Sequence, residues 1–510
     1  MKYKAYITDL HLNLHPEQID LLEKWYNHCK KVEDFFTIAY YPYKVNEYAG
    51  GFCAEDEVES DCYNEQWKRI CSFLKEQFEK DGYISFVGFE WQGTGKDGDH
   101  NVYFKDYDEK IMLPSTYGHL LEEYKDKEAI AIPHHLAYSP MSRGKNWKTH
   151  NEQFSPVVEI YSHHGSSESD STSISMDRHI HMGPRVEQSS VISGLKNGYH
   201  FGIIASGDNH EIPAMVKNGR ACVWAEEYTK DSIWSAIKDR RVGGFTQSKI
   251  LVWLESCNKP MGSIIQTNKE HIEIRSNVCA NSKLERIELY KNGDLSQINL
   301  IKPKPINKQK PINIKFRIEM GWGPNIKYFP EYTEKHWSGS IKTDGKILSI
   351  EPIYSSFNND YEIKNSNYAV FNALSRKNSP THWMGGANMN TEGFIFELET
   401  NTNDKLIINI NGIEKVCSIQ DMLNGSSLIV FEDEAKNLIK KTAGSTSNSR
   451  SDYWYNNAYK VKIYQAFTQE MYQVETFFNV TNIDKETSYF IKAIQSDGQT
   501  GWSSPIWIKK

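Results

Sequence analysis

Three apolar segments of the sequence end in histidine: AIAIPHH (129–135), VVEIYSHH (157–164) and GIIASGDNH (202–210). Two more segments end in a similar way, because His11 follows YKAYITDL (3–10) and Glu90 lies near the end of YISFVGFEW (83–91). Short apolar runs bounded by polar residues are typical of buried strands. Packing alone does not explain why run after run ends in His or Glu. The sequence predicts that these side chains gather where the strands end.

Amphipathic helices are predicted between these strands. The helical periodicity of apolar residues is found in PEQIDLLEKWYNHCKK (16–31), EQWKRICSFLKEQFEK (65–80) and SIWSAIKDRR (232–241). Strands that alternate with helices form parallel βα units, and a long series of them forms a barrel with its chemistry at the carboxyl ends of the strands. We therefore expect an α/β, TIM-like barrel over residues 1–250. The polar stretch 44–64 is expected to be a loop.

The character of the sequence changes after residue 250. Segments such as HIEIRSNV (271–278), INIKFRIEM (312–320) and FIFELETN (394–401) alternate apolar with polar residues and are separated by turn-forming residues. This alternation is typical of antiparallel strands with one buried face. Residues 251–510 are therefore expected to form an antiparallel, β-sandwich-like region.

The overall composition excludes several classes of protein. The chain has 510 residues, of which 39% are hydrophobic and 13% aromatic, so it carries enough apolar material for folded domains. Its 59 basic and 66 acidic residues give a net charge of −7. Because the chain has no overall positive charge, neither general nucleic-acid binding nor binding to an anionic membrane is expected. An anionic substrate would have to be attracted locally.

The sequence carries no signal of a membrane or secreted protein. No stretch approaches the roughly 18 apolar residues that span a bilayer, and MKYKAYITDLHLNLH (1–15) lacks the apolar core of a signal peptide. The 8 cysteines form no CxxC pair, which argues against a disulfide framework or a cysteine-rich zinc site. We expect a cytoplasmic protein, and none of these features indicates its oligomeric state.

Histidine is concentrated in the first part of the chain. Of the 17 histidines, 14 lie at or before His210 and only 3 lie in the remaining 300 residues. Histidine is the commonest metal ligand and also titrates near neutral pH. The distribution indicates metal or acid–base chemistry in the first part of the chain. The alternative is a domain that simply contains more histidine.

A hydrolytic metal site requires several imidazoles and carboxylates around one point, with a position left for water. Side chains of this kind lie at the predicted strand ends or in the loops after them: His11, His15, Glu90, His100, His134, His135, His163, His164, Asp208 and His210. Neighbouring side chains of an extended strand face opposite sides. We therefore expect only one member of each adjacent histidine pair to face the metal.

The same residues carry a resemblance to a known superfamily. Six short motifs follow one another along the chain: DLH (9–11), GFEW (88–91), HNVYF (100–104), IPHH (132–135), VEIYSHHGSSE (158–168) and SGDNH (206–210). Their order resembles the polymerase-and-histidinol-phosphatase (PHP) superfamily of metal-dependent phosphoesterases. More narrowly, the chain is similar to a bacterial family of PHP-like proteins of unknown function, including its MGS (261–263) and GQTGWSSPIW (498–507) segments. The resemblance implies a distorted (β/α)7 barrel with up to three metals at the strand ends.

The resemblance also implies which residues bind metal. The implied ligands, in chain order, are His11, Asn13, His15, Glu90, His100, His134, Asp208 and His210. Glu90 resembles the glutamate that bridges two ions, and His100 and His134 resemble ligands of the second ion. His11 resembles the first histidine of the N-terminal HxH motif, and residues 208–210 resemble the C-terminal DxH motif.

Two positions depart from the pattern of the superfamily. The second histidine of the HxH motif is Asn13, and the usual TDH at the end of the second strand is Ala-Tyr-Tyr at 39–41. One imidazole of the third site, where His15 lies, is thereby missing. Asn13 can still coordinate through its amide oxygen, although an amide binds transition metals more weakly than imidazole does. We therefore expect one or two divalent ions, Mn, Fe or Zn.

Candidate residues for the chemistry lie in the neighbouring loops. In a metal-dependent phosphoesterase an activated water attacks phosphorus and an acid protonates the leaving alkoxide. His135 or His164 is the candidate acid. Phenol and guanidinium groups can bind a phosphate or a sugar hydroxyl, and the candidate substrate contacts are Tyr41, Tyr138, Arg143 and Arg178.

Two functions remain open at this point. The first is a metal-dependent phosphoesterase that acts on a small phosphorylated metabolite, sugar or nucleotide. The second is a degenerate, non-catalytic barrel that binds a ligand or a glycan. Asn13 and the lost TDH motif favour the second function. Five residues favour the first, because an inactive site would have little need of five convergent residues of metal-binding type: Glu90, His100, His134, Asp208 and His210.

Overall fold

The chain folds into two compact units that alternate along the sequence. The computed structural model describes residues 2–210, 218–307, 310–324, 329–353, 359–376, 391–444, 452–481, 483 and 485–510. Unit 1 comprises Met1–Ala280, Leu284–Ile301 and Val474–Lys510, and unit 2 comprises Asn281–Lys283 and Lys302–Gln473. The boundary between the units therefore does not fall at residue 250, which lies inside unit 1.

The chain up to residue 301 is mixed α/β and rich in strands. Its helices are α1 (Leu22–Val32), α2 (Ser60–Asp81), α3 (Tyr117–Tyr124), α4 (Val191–Lys196) and α5 (Lys230–Lys238). Its strands are β1 (Lys4–Thr8), β2 (Asn13–Leu14), β3 (Phe36–Tyr40), β4 (Tyr43–Tyr48), β5 (Phe52–Glu57), β6 (Ser85–Trp91), β7 (His100–Phe104), β8 (Ala129–Pro133), β9 (Val157–Ser162), β10 (Gly165–Ser166), β11 (Gly202–Ala205), β12 (Arg220–Ala225), β13 (Val242–Phe245), β14 (Ile250–Ser256), β15 (Lys259–Pro260), β16 (Ile264–Gln266), β17 (His271–Ala280), β18 (Leu284–Lys291) and β19 (Asp294–Leu300).

Strands predominate in the rest of the chain. They are β20 (Ile312–Trp322), β21 (Glu334–Thr343), β22 (Lys346–Pro352), β23 (Asp360–Asn365), β24 (Tyr368–Arg376), β25 (Glu392–Thr400), β26 (Lys405–Ile410), β27 (Ile413–Ser418), β28 (Ser427–Val430), β29 (Tyr459–Ile463), β30 (Phe467–Thr468), β31 (Gln473–Thr481), β32 (Thr487–Gln495), β33 (Thr500–Ser503) and β34 (Ile506–Lys509). The helices are α6 (Ile419–Asn424), α7 (Glu432–Ala443) and α8 (Asp452–Tyr455). None of the helices in the described residues is both long and apolar enough to cross a bilayer.

Five strands of unit 1 form the sheet that carries much of the candidate site. Their order is β2-β3-β6-β7-β8, in which β2, β3 and β6 are parallel neighbours, whereas β7 is antiparallel to both β6 and β8. A second parallel pair, β9 and β11, belongs to a three-stranded sheet. Parallel pairing is thus present in part. The described strands of unit 1 are divided among several sheets, and their pairing does not define the distorted (β/α)7 barrel that the resemblance implies.

The local sequence explains these elements. Strands β3, β6, β8, β9 and β11 are buried along their whole length, as expected of nearly continuous apolar runs that are covered on both faces. Helix α2 ends at Gly82, whose φ of 69° is the left-handed conformation that closes a helix. Thr116 and Thr229 cap α3 and α5 by accepting the backbone N–H of His119 and Ser232.

The stretch 44–64 contains a β-hairpin, so the expectation of a loop was wrong. Strands β4 and β5 pair antiparallel, and α2 already begins at Ser60. Gly50 and Gly51 adopt φ values of 86° and 78° in the turn, where glycine is unstrained. Most side chains of β4 are exposed. No alternation of apolar and polar residues therefore marked the hairpin in the sequence.

The last strands of the chain complete unit 1. Strand β33 pairs with β13, β32 pairs with β18, and β34 pairs with β16. The resulting nine-stranded sheet also contains β1. The Lys492 ammonium lies 2.8 Å from both carboxylate oxygens of Glu168, and the indole N–H of Trp502 donates to the same carboxylate at 3.3 Å. The β-rich region predicted for residues 251–510 is therefore split between the two units.

Unit 2 contains two antiparallel sheets. Their strand orders are β22-β25-β20-β29-β28, with β30 beside β20, and β23-β24-β21-β26-β27. Buried side chains of both sheets share one apolar cluster, which includes Phe316, Trp337, Phe371 and Phe396. This two-layer arrangement is sandwich-like and lies within residues 302–473.

Candidate metal centre

The ends of four strands bring the candidate ligands together. His11 lies between β1 and β2, Glu90 lies near the end of β6, His134 follows β8, and Asp208 lies shortly after β11. The backbone N–H of Asn209 donates to the carbonyl of His11 at 3.2 Å, which joins the first and last of these segments. Residues that are far apart in the sequence are therefore brought together where these strands end.

Four buried side chains form what we call the central group: His11, Glu90, His134 and Asp208. His11 Nε2 lies 3.4 Å from Glu90 Oε2 and 3.3 Å from Asp208 Oδ1. His134 Nε2 lies 3.7 Å from Glu90 Oε1. One ligand atom from each of His11, Glu90 and His134 lies within 4.8 Å of the other two, a spacing that can hold one metal ion.

The amide of Asn13 lies within the central group. Its Nδ2 is 3.1 Å from Glu90 Oε2 and 3.4 Å from Asp208 Oδ1. The same atom is 3.3 Å from His11 Nε2 and 3.1 Å from His210 Nε2. Asn13 is fully buried, and its Oδ1 has no hydrogen-bond partner within the described part of the chain. Four ligand-type atoms thus surround Asn13 Nδ2.

His210 and His15 continue this arrangement away from the central group. His210 Nε2 lies 3.1 Å from Asp208 Oδ1, and its Nδ1 lies 2.8 Å from His15 Nε2. The ring of Tyr41 packs against both imidazoles, with centroid distances of 4.5 Å to His15 and 5.1 Å to His210. The Tyr41 hydroxyl accepts a hydrogen bond from Gln92 Nε2 at 2.9 Å. Tyr41, a predicted substrate contact, is therefore a buried wall of the site.

The electrostatics of the central group favour a cation. Burial alone would lower the pKa of His11, but Asp208 and Glu159 raise it well above its ordinary value. Burial alone would raise the pKa of Asp208, but His11 and His164 hold it well below its usual range. Burial lowers the pKa of His134, which keeps this imidazole in the neutral form that binds metal. The residues therefore fit a divalent cation.

Asp99, His134 and His135 form a second group whose ligand-type atoms lie within 4.8 Å of one another. His135 Nε2 lies 3.2 Å from Asp99 Oδ2, and the rings of His134 and His135 are 4.3 Å apart. The φ of His135 is 33°, a left-handed conformation that breaks the alternation of an extended strand, so the two imidazoles lie on the same side. That only one of them faces a metal stays a prediction.

His100 has partners other than the central group. Its Nδ1 donates to the carbonyl of Gly98 at 2.9 Å, and Lys145 Nζ lies 3.2 Å from its Nε2. His100 belongs to neither of the two three-residue groups found among the described residues. Burial lowers the pKa of Lys145 to about 7. When Lys145 is protonated, its charge opposes a metal ion at this imidazole.

His164 connects two other predicted residues. Its Nε2 lies 3.0 Å from Asp208 Oδ2, and its Nδ1 lies 2.8 Å from the Tyr138 hydroxyl. Burial lowers the pKa of His164 to about 3, so this imidazole is neutral at physiological pH. Tyr138 is also buried. The predicted acid His164 therefore lies against a predicted metal ligand, and the ring of Tyr138 also packs 5.4 Å from the ring of His135.

Both predicted arginines are engaged by other described residues. Arg143 Nε and one terminal nitrogen each lie 2.6 Å from Asp99 Oδ2, and the other terminal nitrogen lies 3.4 Å from Glu55 Oε2. Arg178 donates to the carbonyl of His163 at 3.1 Å. Each guanidinium thus fixes a loop beside the site.

Glu159 is a site residue to which the sequence interpretation gave no role. Its Oε2 accepts a hydrogen bond from His11 Nδ1 at 2.9 Å and another from the hydroxyl of Ser206. A carboxylate on Nδ1 leaves Nε2 of the imidazole for a metal. The signal in the sequence was a charged residue inside the apolar run VVEIYS, which forms the fully buried strand β9. Asp99 and Lys145, by contrast, were missed, because both lie in loops.

Comparisons with known sequences identify relatives without a described function. No protein-family model matches the chain. An uncharacterized protein of Chlamydia pneumoniae is 24% identical over 252 residues, which are 45% of this chain and 40% of that protein. Uncharacterized proteins of Chlamydia muridarum and Chlamydia trachomatis are 25% and 26% identical over 190 and 191 residues, in each case 34% of this chain and 30% of the relative. The chain thus matches less than half the length of these relatives.

A two-domain protein of Bacteroides vulgatus is among the solved structures that resemble the chain in part, and it contains a predicted PHP-like metal-dependent phosphoesterase. The similarity covers 82% of this chain and 96% of that protein, with 10% sequence identity and a TM-score of 0.33. A similarity at this level does not define the fold.

Proposed function

We propose that this protein is a metal-dependent hydrolase, and more specifically a phosphoesterase that acts on a small phosphorylated metabolite, sugar or nucleotide. The observation that carries the proposal is the central group, in which four buried side chains approach one another to between 3.3 and 3.7 Å. Buried ionisable groups are costly unless they are paired or bind a metal. The order of motifs that resembles the PHP superfamily supports the same function, together with a distorted (β/α)7 barrel.

The side chains that would hold a divalent ion are His11, Glu90, His134 and Asp208, with Asn13 and His210 beside them. The chemistry that such an ion supplies is Lewis acidity, which polarises a phosphoryl oxygen and lowers the pKa of a water molecule. Glu90 directs Oε2 toward His11 and Oε1 toward His134. Glu90 would therefore hold an ion together with His11, His134 or both, and one or two ions of Mn, Fe or Zn are proposed.

His135 is the proposed acid for the leaving oxygen. Its Nε2 faces Asp99 Oδ2 at 3.2 Å, and this contact fixes the orientation of the ring. Its Nδ1 is buried and has no hydrogen-bond partner among the described residues, so this atom can serve the substrate. His164 suits the role less well, because Asp208 and Tyr138 engage its two ring nitrogens.

An anionic substrate is proposed to meet Arg143 first. The Arg143 side chain is 32% exposed, and its 3.4 Å contact with Glu55 is the longest of its contacts with carboxylates. The terminal nitrogen that contacts Glu55 can therefore turn to a phosphoryl oxygen, while Asp99 holds the rest of the guanidinium. Tyr41 and Arg178 are proposed to shape the entrance.

Elemental analysis of purified protein tests the metal part of the proposal. Wild type is expected to hold Mn, Fe or Zn after supplementation, whereas Glu90→Ala and His134→Ala lose most of it. His119→Ala is the matched control, because His119 is exposed on α3 and should not change the metal content. Wild-type protein that holds none of these ions contradicts the proposal.

A panel of phosphomonoesters and phosphodiesters with added Mn²⁺ tests the reaction. Hydrolysis is expected with wild type and with His119→Ala, and it should be lost with Glu90→Ala. Activity that survives Asp208→Ala undiminished would remove Asp208 from the site.

A second candidate function is a non-catalytic barrel that binds a ligand or a glycan. The contact between Lys145 Nζ and His100 Nε2 favours it, because His100 resembles a ligand of the second ion in the superfamily. Metal binding without hydrolysis of any ester in the panel would support this second function over the first.

A further inference from the structure

Asn13 stands where the superfamily has a histidine, and its amide has an unusual position. Nδ2 lies between 3.1 and 3.4 Å from four ligand-type atoms, which belong to Glu90, Asp208, His11 and His210. A primary amide nitrogen carries two N–H donors and accepts nothing. Its two donors can serve only two of the four surrounding atoms well at one time. The surroundings of Nδ2 therefore offer more lone pairs than the amide can use.

The oxygen of the same amide has too few polar neighbours rather than too many. Asn13 Oδ1 is buried and has no hydrogen-bond partner in the described residues. A buried acceptor without a partner lowers the stability of the folded state. The nitrogen and oxygen of an amide exchange places by a half turn of the terminal torsion, and no other atom of the residue has to move. The half turn would direct Oδ1 at the Glu90 and Asp208 carboxylates, which is unfavourable unless a cation lies between them.

We propose that Asn13 is a two-position amide: it donates through Nδ2 when no ion is bound, and it ligates through Oδ1 when an ion is bound. The proposal rests on the proposed metal-dependent function and adds which ion the site prefers. An amide oxygen replaces an imidazole here, and carbonyl and carboxylate oxygens suit Mn²⁺ whereas imidazole suits Zn²⁺. Asn13 therefore shifts the selectivity of the site toward Mn²⁺ relative to a site with histidine at this position.

Three substitutions separate the parts of this proposal. Asn13→Ala removes donor and oxygen together, Asn13→Asp keeps an oxygen ligand and removes the donor, and Asn13→His restores the imidazole. Binding of Mn²⁺ and Zn²⁺ is measured by calorimetry on the full chain, and Tm is measured with chelator and with each ion. Asn281→Ala is the matched control, because Asn281 is also a buried amide that donates to a carboxylate, Glu351, and has an unpartnered Oδ1.

Asn13→Ala is expected to bind Mn²⁺ at least about tenfold more weakly than wild type and to have a lower Tm in chelator. Asn13→Asp is expected to bind Mn²⁺ at least as tightly as wild type, to have the lowest Tm in chelator, and to gain the most Tm on adding Mn²⁺. Asn13→His is expected to raise the ratio of Zn²⁺ to Mn²⁺ affinity by about tenfold or more. Asn281→Ala should lower Tm without changing either affinity.

Each part of the proposal can be overturned separately. If Asn13→Ala binds Mn²⁺ as tightly as wild type, Oδ1 is not a ligand. If Asn13→Asp has the same Tm as wild type in chelator, Nδ2 is not an important donor. If Asn13→His leaves the ratio of Zn²⁺ to Mn²⁺ affinity unchanged, Asn13 does not set the preference for Mn²⁺. Should Asn13→Ala fail to fold, an Asn13→Asp variant with weaker Mn²⁺ binding than wild type overturns the ligand role.

The same measurements keep this proposal apart from the proposed function. If the Asn13 variants bind metal with the expected affinities but no ester is hydrolysed, the role of Asn13 stands and the phosphoesterase function is overturned. If hydrolysis depends on metal but not on residue 13, the phosphoesterase function stands and the role of Asn13 is overturned. Wild type that binds neither ion overturns both.

Discussion

His134 and His100 lie at facing ends of neighbouring strands, yet their imidazoles have opposite electrical surroundings. Strands β8 and β7 are antiparallel, and His100 pairs with Pro133, the residue before His134. His134 Nε2 lies 3.7 Å from the Glu90 carboxylate, whereas His100 Nε2 lies 3.2 Å from Nζ of Lys145, which is a cation below its pKa of about 7. Two histidines of similar burial and position thus differ in the charge they face, and that charge decides which one suits a cation.

The largest loss of metal affinity is expected from removing the negative charge of Glu90, the carboxylate beside His134. Glu90→Gln keeps the shape of the side chain but loses the negative charge that faces both His11 and His134. We expect metal affinity, measured by calorimetry, to fall by more than about 100-fold, beyond the range seen for residues that only support ligands. An affinity within about tenfold of wild type would mean that the carboxylate of Glu90 is not a ligand.

A direct test of the comparison replaces one histidine at a time. His134→Ala is expected to lower metal affinity by about 100-fold, because it removes a neutral buried imidazole beside Glu90. His100→Ala removes an equally buried imidazole and is expected to leave the affinity of the first ion within about twofold, well below the effect of losing a ligand. Equal losses in the two variants would show that the Lys145 contact does not distinguish them.

A smaller loss of metal affinity is expected from changing Glu159, the carboxylate that accepts the hydrogen bond of His11 Nδ1. Glu159→Gln replaces the acceptor of the His11 Nδ1 hydrogen bond, and such partners of ligating histidines typically change metal affinity by about 10- to 100-fold. We expect a loss of about 30-fold with little change in the far-UV circular dichroism spectrum. A matched change at Glu168, which pairs with Lys492 away from the central group, should lower stability and spare metal affinity.

The smallest expected effect is the pH dependence of stability caused by Lys145. Burial lowers its pKa from 10.5 to about 7 in the folded protein, so between these pH values the unfolded chain binds more protons than the folded one. The free energy of unfolding of wild type, relative to Lys145→Met, should therefore rise from pH 7 to pH 10. Urea unfolding of both proteins measures this difference. A flat difference across the window would mean that Lys145 stays charged.

Much of the central group was predictable because its residues follow uninterrupted apolar runs. A run such as AIAIP is long enough to define a buried strand, and the polar residue that ends it must lie at the strand's edge. His11, Glu90, His134 and Asp208 were all identified in this way. The two-layer arrangement of unit 2 was predictable for a similar reason, since its strands alternate apolar and polar residues.

The remaining features depend on conformation and on distant contacts. The φ of 33° at His135 brings two successive imidazoles to one site, and no property of the His-His pair in the sequence announces it. Lys145 reaches His100 across 45 positions of the chain, so the sequence near His100 contains no sign of the positive charge. The hairpin at 43–57 was missed because a polar surface strand carries no hydrophobic pattern.

The buried pair of Glu168 and Lys492 has a consequence for how the protein is made. The two residues are 324 positions apart, and β32, which carries Lys492, stands in the same sheet as β1. During synthesis β13 and β18 therefore lack their partner strands β33 and β32 until the whole of unit 2 has been translated. Contacts of such long range fold slowly, and unpaired strand edges are prone to aggregate in the meantime. Nascent chains that stop before residue 492 should therefore need more help from chaperones than the full-length chain does.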